Sequence, residues 1–229
     1  MNPNRKTARI AGVLFIIATA ASILSLPFLN SIKSSNYLVD ISANRNQMGV
    51  GVLLAFVAAF ASASIAISMY PILRKHNHGL ALTAVGFRLI EGVFYLVGIV
   101  CLLTLTTLSQ EFVKAGATNQ SYFQTLGTIL LAAYNWAGNV ASVLAFCLGA
   151  FMYYYLFFQT NLIPRWLSGW GILGVAMLIV AIILVVFGVT SPLGTVQVVS
   201  ALPIAIQEMV LAVWLLVRGF NSSATTSVN

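Results

Sequence analysis

The sequence predicts an all-α polytopic membrane protein, a bundle of six transmembrane helices with both termini cytoplasmic. Three observations carry that prediction. Of 229 residues, 60% are hydrophobic and only 7% charged, where a soluble domain runs to about a quarter charged. Several apolar runs exceed the roughly 18–20 residues needed to cross a hydrocarbon core of about 30 Å. These runs are continuous and do not alternate, so the spans are helices, not barrel strands. Residues 1–229 read as a single integral membrane domain.

Span 1 covers about residues 8–29, behind Arg5, Lys6 and Arg9. Its apolar stretch is longer than the ~7–15 residues of a signal peptide, so a retained helix is expected. The loop 30–47, "NSIKSSNYLVDISANRNQ", places Tyr37, Leu38 and Ile41 on one face of a short interfacial helix. Span 2 is expected at 48–70, with Gly51, Ala55, Ala59 and Ala63 spaced four apart as a helix-packing face. Span 3 is expected at 80–108. The run 122–158 would make a helix about 55 Å long, too long for one upright crossing. A surface helix that bends into the membrane near "YNWAGN" is therefore expected, with the crossing itself at 133–158 and Asn135 and Asn139 at its outer start. Ala141, Ala145 and Gly149 form its packing face. Spans 5 and 6 are expected at 167–189 and 200–219.

Basic residues set the orientation. Arg5, Lys6, Arg9, Arg74, Lys75, Arg165 and Arg218 lie on one side, and Lys33, Arg45 and Lys114 on the other. Seven against three puts the first side in the cytoplasm. This scatter at span ends also explains the net charge of +7 without nucleic acid, and no basic tract with interleaved aromatics is present. Cys101 and Cys147 lie inside apolar spans, with no metal or redox spacing. His76 and His78 share the short loop "RKHNHG", without acidic or thiol partners nearby. No cofactor and no metal site is expected, and the lipid bilayer is the one partner that composition implies.

Three charges stand where hydrocarbon tolerates them least. Arg88 and Glu91 are three apart on one face of span 3, and Glu208 lies in span 6. Counted from the cytoplasmic ends, both glutamates lie roughly 16 Å deep and Arg88 about 12 Å. Matched depth predicts a shared cluster facing the bundle interior, since each charge at a helix centre opposes insertion by about 2.5–3.5 kcal/mol. One arginine and two glutamates leave a charge of −1. Either one carboxyl carries a proton or something cationic joins the cluster. Gln207 and Asn139 are added as candidate ligand-binding residues beside Arg88, Glu91 and Glu208. Thr19 lies at comparable depth. Pro203 is expected in the first turn of span 6, and Ser62, Ser64 and Ser68 as ordinary helix hydrogen-bonders.

Three functions remain open on these residues: a small-ligand, ion or proton site; a non-catalytic scaffold or partner subunit in which the cluster only fixes packing; and an intramembrane enzyme. Catalysis is the weakest, because no HExxH, GxSxG or intramembrane aspartate pair is present, and no catalytic residue is assigned.

The segments "RIAGVLFI", "LALTAVGFRLIEG", "IPRWLSGWGILG" and "PIAIQEMVLAVWLLVRGFN" stand in an order that resembles the domain-of-unknown-function 4386 family of bacterial six-span membrane proteins. Phe87, Arg88, Leu89 and Glu91 match its FRL pattern with a following acidic or amide residue. Pro203, Glu208, Trp214 and Leu215 match its closing pattern. The resemblance implies the fold and a bacterial cytoplasmic membrane, and it implies no activity.

Overall fold

A computed structural model describes residues 3–116 and 120–221. The remaining positions of the expected 1–229 domain, including both chain termini, lie outside the described residues. Within them the secondary structure is helical: α1 (Pro3–Phe28), α2 (Tyr37–Ala43), α3 (Arg45–Leu73), α4 (His78–Lys114), α5 (Gln120–Tyr134), α6 (Ser142–Thr160), α7 (Arg165–Val186) and α8 (Thr195–Val217). A 3-10 turn, Asn30–Lys33, follows α1, and a π-helical segment, Asn135–Ala141, joins α5 to α6. Six helices are long and apolar enough to cross a membrane, α5 and α6 counting as one with the π segment between them. The protein is a multi-pass membrane protein.

The helix ends follow from local chemistry. The Asn77 side chain accepts from the Leu80 amide at 3.0 Å and caps α4. Asn161 takes the left-handed conformation (φ 55°) that ends α6, and Pro164 then precedes α7. Gly219 (φ 77°) ends α8, its amide donating to the Trp214 carbonyl. Arg5, Asn161 and Gly219 lie at one end of the bundle, the terminal face, opposite the far face.

The spans form a ring in chain order: α1 packs on α3, α3 on α4, α4 on α6, α6 on α7, α7 on α8, and α8 closes onto α1. Closure is fastened at the terminal face. Arg5 donates to the carbonyls of Arg218 and Val217, both at 2.7 Å. Asn221 donates through its amide to Leu162 and through its side chain to Asn161. The two ends of the described chain therefore meet at one end of the ring.

The long helices depart from expectation. α4 has 37 residues and spans roughly 55 Å, and α5 through α6 is longer still. The latter run does not break before Asn135 as a surface helix bending inward would. It continues through the π segment, where the Ser142 amide donates five residues back to Ala137, so the wide turn keeps backbone groups paired without interrupting the helix. Nor does α5 lie on a surface alone. It packs on α4, and Tyr37 of α2 reaches it at Gly127; Tyr37, Leu38 and Ile41 are buried in protein. Tyr37 donates to the Gln124 carbonyl at 3.3 Å and Ser109 to that of Leu38. At the crossing of α4 and the π segment, a Cβ on Gly98 would stand 3.0 Å from Gly138 Cα, so only glycine permits that approach.

Pro203 is also displaced from its expected place. It is the ninth residue of α8, not in the first turn, because the helix begins at Thr195. Its ring therefore removes one hydrogen bond from the helix interior.

Candidate functional site

Ring closure places the side chains of α3, α4, α6 and α8 on a common interior, and the largest of those fully buried is Arg88, 1% exposed. Its Nη2 donates to the Ser62 carbonyl at 3.0 Å and to Ser62 Oγ at 2.8 Å. The Ser62 hydroxyl donates in turn to Glu91 Oε1 at 2.8 Å. Arg88 Nη1 stands 2.9 Å from Glu91 Oε2. That contact is an ion pair by distance, but its direction is oblique and closes no hydrogen bond. Phe146 covers the guanidinium, 4.9 Å from ring centroid to guanidinium carbon, a cation–π arrangement that partly replaces lost hydration. Glycine at position 149 of α6 gives the arginine stem its room: a Cβ there would lie 3.0 Å from Arg88 Cγ and 3.3 Å from the Ala84 carbonyl oxygen, so the stem would have to shift.

Ser62 thus belongs to the cluster, contrary to its expected role as an ordinary helix hydrogen-bonder. Ser64 and Ser68 do keep that role, bonding to the carbonyls of Phe60 and Ile65. The depth count used for the glutamates places Ser62 at their level but does not set it apart from its neighbouring serines. It stands eleven residues before Leu73, the terminal-face end of α3, or roughly 16 Å in.

Glu208 approaches from α8. It is within electrostatic reach of both Arg88 and Glu91 but pairs directly with neither. The Tyr153 hydroxyl lies beside its carboxyl, yet neither that hydroxyl nor Glu208 Oε1 closes a hydrogen bond. Tyr153 and its neighbour Tyr154 are fully buried, with ring centroids 4.6 Å apart. Sequence reasoning missed both, since tyrosines in the run "MYYYLFF" read as apolar packing.

The other two candidates stand apart. Gln207 is turned by one residue's rotation away from Glu208: its Oε1 accepts from Tyr154 at 2.6 Å and its Nε2 donates to the Leu167 carbonyl at 2.9 Å. Asn139 lies in the π segment toward the far face, donating to Asn135 Oδ1 at 3.1 Å, with its carbonyl accepting from Gln197 at 2.7 Å. Neither side chain hydrogen-bonds to Arg88, Glu91 or Glu208.

Six buried side-chain polar atoms among the described residues lack a hydrogen-bond partner in the protein: Arg88 Nε and Nη1, Glu91 Oε2, Glu208 Oε1, Tyr153 Oη and Trp214 Nε1. Five of them belong to this cluster, and two of those five, Arg88 Nη1 and Glu91 Oε2, face each other as the 2.9 Å ion pair. Leaving a buried polar group unsatisfied costs about 1–3 kcal/mol, so their concentration in one place needs a physical cause.

A model of the family described as Domain of unknown function (DUF4386) matches residues 10–219. No curated protein and no solved structure matches the chain.

Proposed function

The chain belongs to the DUF4386 family, and on that premise we propose that its interior cluster is a proton site, with Glu208 the carboxyl that takes up and releases the proton. The observation that carries this reading is the Glu208 carboxyl, which has no ion-pair partner among the described residues and stands beside the Tyr153 hydroxyl with neither Oε1 nor that hydroxyl closing a hydrogen bond, while Arg88 and Glu91 pair with each other. A cluster serving only to fix helix packing should close its hydrogen bonds, since unsatisfied members cost stability and add no specificity. Charge favours the same reading. Arg88 and Glu91 cancel, so a proton on Glu208 brings the three to neutrality.

A metal cation fits less well. It would share the space with the Arg88 guanidinium, and hard cations seek about six oxygen ligands. A proton needs one oxygen. The step balances simply: an ionised Glu208 accepts a hydrogen bond from the Tyr153 hydroxyl, and protonated Glu208 donates one to the same oxygen. Arg88, Glu91 and Ser62 stay fixed throughout as a counter-charge. The structural reading has one observation in its favour, the closed Arg88–Ser62–Glu91 contacts, and it applies to that clasp only.

Infrared spectroscopy of the protein in lipid nanodiscs tests the proposal. A protonated-carboxyl band should appear and vanish across a pH titration, and it should be missing from Glu208→Gln and retained in Ser64→Ala. A band that survives Glu208→Gln, or no titrating band at all, overturns it.

We further infer a bacterial cytoplasmic membrane from the resemblance to a bacterial family, and a cytoplasmic terminal face from the seven-to-three basic asymmetry. Two reporters, each active on one side of the membrane only, check the orientation when fused after Asn221. Activity of the periplasmic reporter at that position rules it out.

A further inference from the structure

From Glu91 a file of polar side chains leads toward the far face. Tyr95 stands one turn on, about 6 Å along α4, and its hydroxyl lies against Ser22 of α1. Tyr134 packs on α4 at Gly98, where a Cβ would meet its ring at 3.5 Å, and its hydroxyl lies against Asn139. Asn139 holds Asn135 through its side chain and Gln197 through its carbonyl. Gln197 Oε1 then accepts from the Leu193 amide at 2.7 Å, at the 187–194 turn on the far face.

The opposite direction differs in kind. Between the cluster and the terminal face lie Ile65, Met69, Leu73, Phe157, Leu211 and Leu215, each 0–1% exposed and all in one apolar core. The polar pair there, Tyr154 and Gln207, ends on the carbonyl of Leu167, itself 0% exposed. Those groups satisfy one another and lead nowhere.

We infer that water and protons reach the cluster from the far face, along Tyr95, Tyr134, Asn139 and Gln197, while the terminal face is sealed. Polar groups inside a bundle commonly line a wet cavity or pair with one another. Here the far-side file includes partly exposed members, whereas on the terminal side apolar side chains predominate and the polar pair Tyr154–Gln207 ends on a buried carbonyl. The π segment belongs to this route, since it carries Asn135 and Asn139 and sets Gly138 against Gly98. The inference rests on reading the cluster as a proton site, and Tyr95, Tyr134 and Asn139 act in it as positioning residues.

Thiol accessibility in the full chain tests the route. In a Cys101→Ala, Cys147→Ala background, Ser22→Cys changes little in size and places a thiol beside Tyr95; Asn139→Cys places one nearer the surface. Met69→Cys marks the proposed seal. In sealed proteoliposomes of known orientation, a membrane-impermeant methanethiosulfonate should modify Ser22→Cys and Asn139→Cys from the far face only. Met69→Cys should react from neither face and only after denaturation. Ser22→Cys unreactive from the far face, or reactive from the terminal face, overturns the route, as does a Met69→Cys thiol that reacts in the folded protein. Should Asn139→Cys disturb the π segment, Ser22→Cys decides alone. The two proposals fail separately. Far-face labelling without a titrating Glu208 band removes the proton reading, and a titrating band with Ser22→Cys unlabelled removes the route.

Discussion

Arg88→Met destabilises the bundle by about 3–5 kcal/mol, the cost of breaking a buried ion pair by removing one partner. Thermal unfolding of the purified protein in detergent reads the effect as a large fall in midpoint. The magnitude follows from what the arginine leaves behind. Glu91 loses its one ion-pair partner, Ser62 loses a donor at 2.8 Å on its hydroxyl and another at 3.0 Å on its carbonyl, and Phe146 loses the cation over its ring. Glu208 loses the nearest positive charge as well. Methionine fills most of the stem's volume beside Gly149, so the loss is electrostatic more than a cavity effect. The double replacement Arg88→Met, Glu91→Leu should recover much of that stability, because it leaves no stranded carboxylate on α4. An Arg88→Met protein as stable as the wild type would mean that Glu91 finds its partner elsewhere, and the clasp described above would be wrong.

Much of the architecture was legible because hydrocarbon imposes a length rule, and each apolar run obeys it without reference to its neighbours. The Arg88–Glu91 pair was legible because residues three apart on a helix share a face. Glu208 was legible through depth, a quantity that the rise per residue supplies. The rest needed azimuth. Gln207 sits next to Glu208 in sequence, but rotation by about 100° per residue sends it to Tyr154 and Leu167. Asn135 and Asn139 correctly marked an irregularity, yet a π turn and a bend share that signature of polar residues in an apolar run. What decides between them is the presence of α4 alongside, which gives α5 a protein surface to pack on. Ser62 was hidden for another reason. A serine in a transmembrane helix satisfies itself on a carbonyl one turn back, as Ser64 does, so only a partner from another helix distinguishes it.

The triple replacement Arg88→Met, Glu91→Leu, Glu208→Leu separates the structural part of the cluster from the chemical part. It should insert and fold, with stability equal to or up to about 4 kcal/mol above the wild type, since a buried ion group exchanged for well-packed apolar side chains is often neutral or stabilising. Three insertion penalties of about 2.5–3.5 kcal/mol each also disappear. Ser62 then bonds within its own helix as Ser64 does, and Tyr153 alone keeps an unmatched hydroxyl. The folded triple variant should show no titrating carboxyl band, whereas Arg88→Met, Glu91→Leu keeps Glu208 and retains one. Unfolding midpoints in detergent and the infrared titration, measured on the same preparations, provide the two readouts. A triple variant that fails to fold would assign the charges an architectural role that the six-span ring cannot do without. A double variant without a titrating band would show that Glu208 depends on the Arg88–Glu91 clasp, and the cluster would then act as one unit and not as a carboxyl beside a fixed pair.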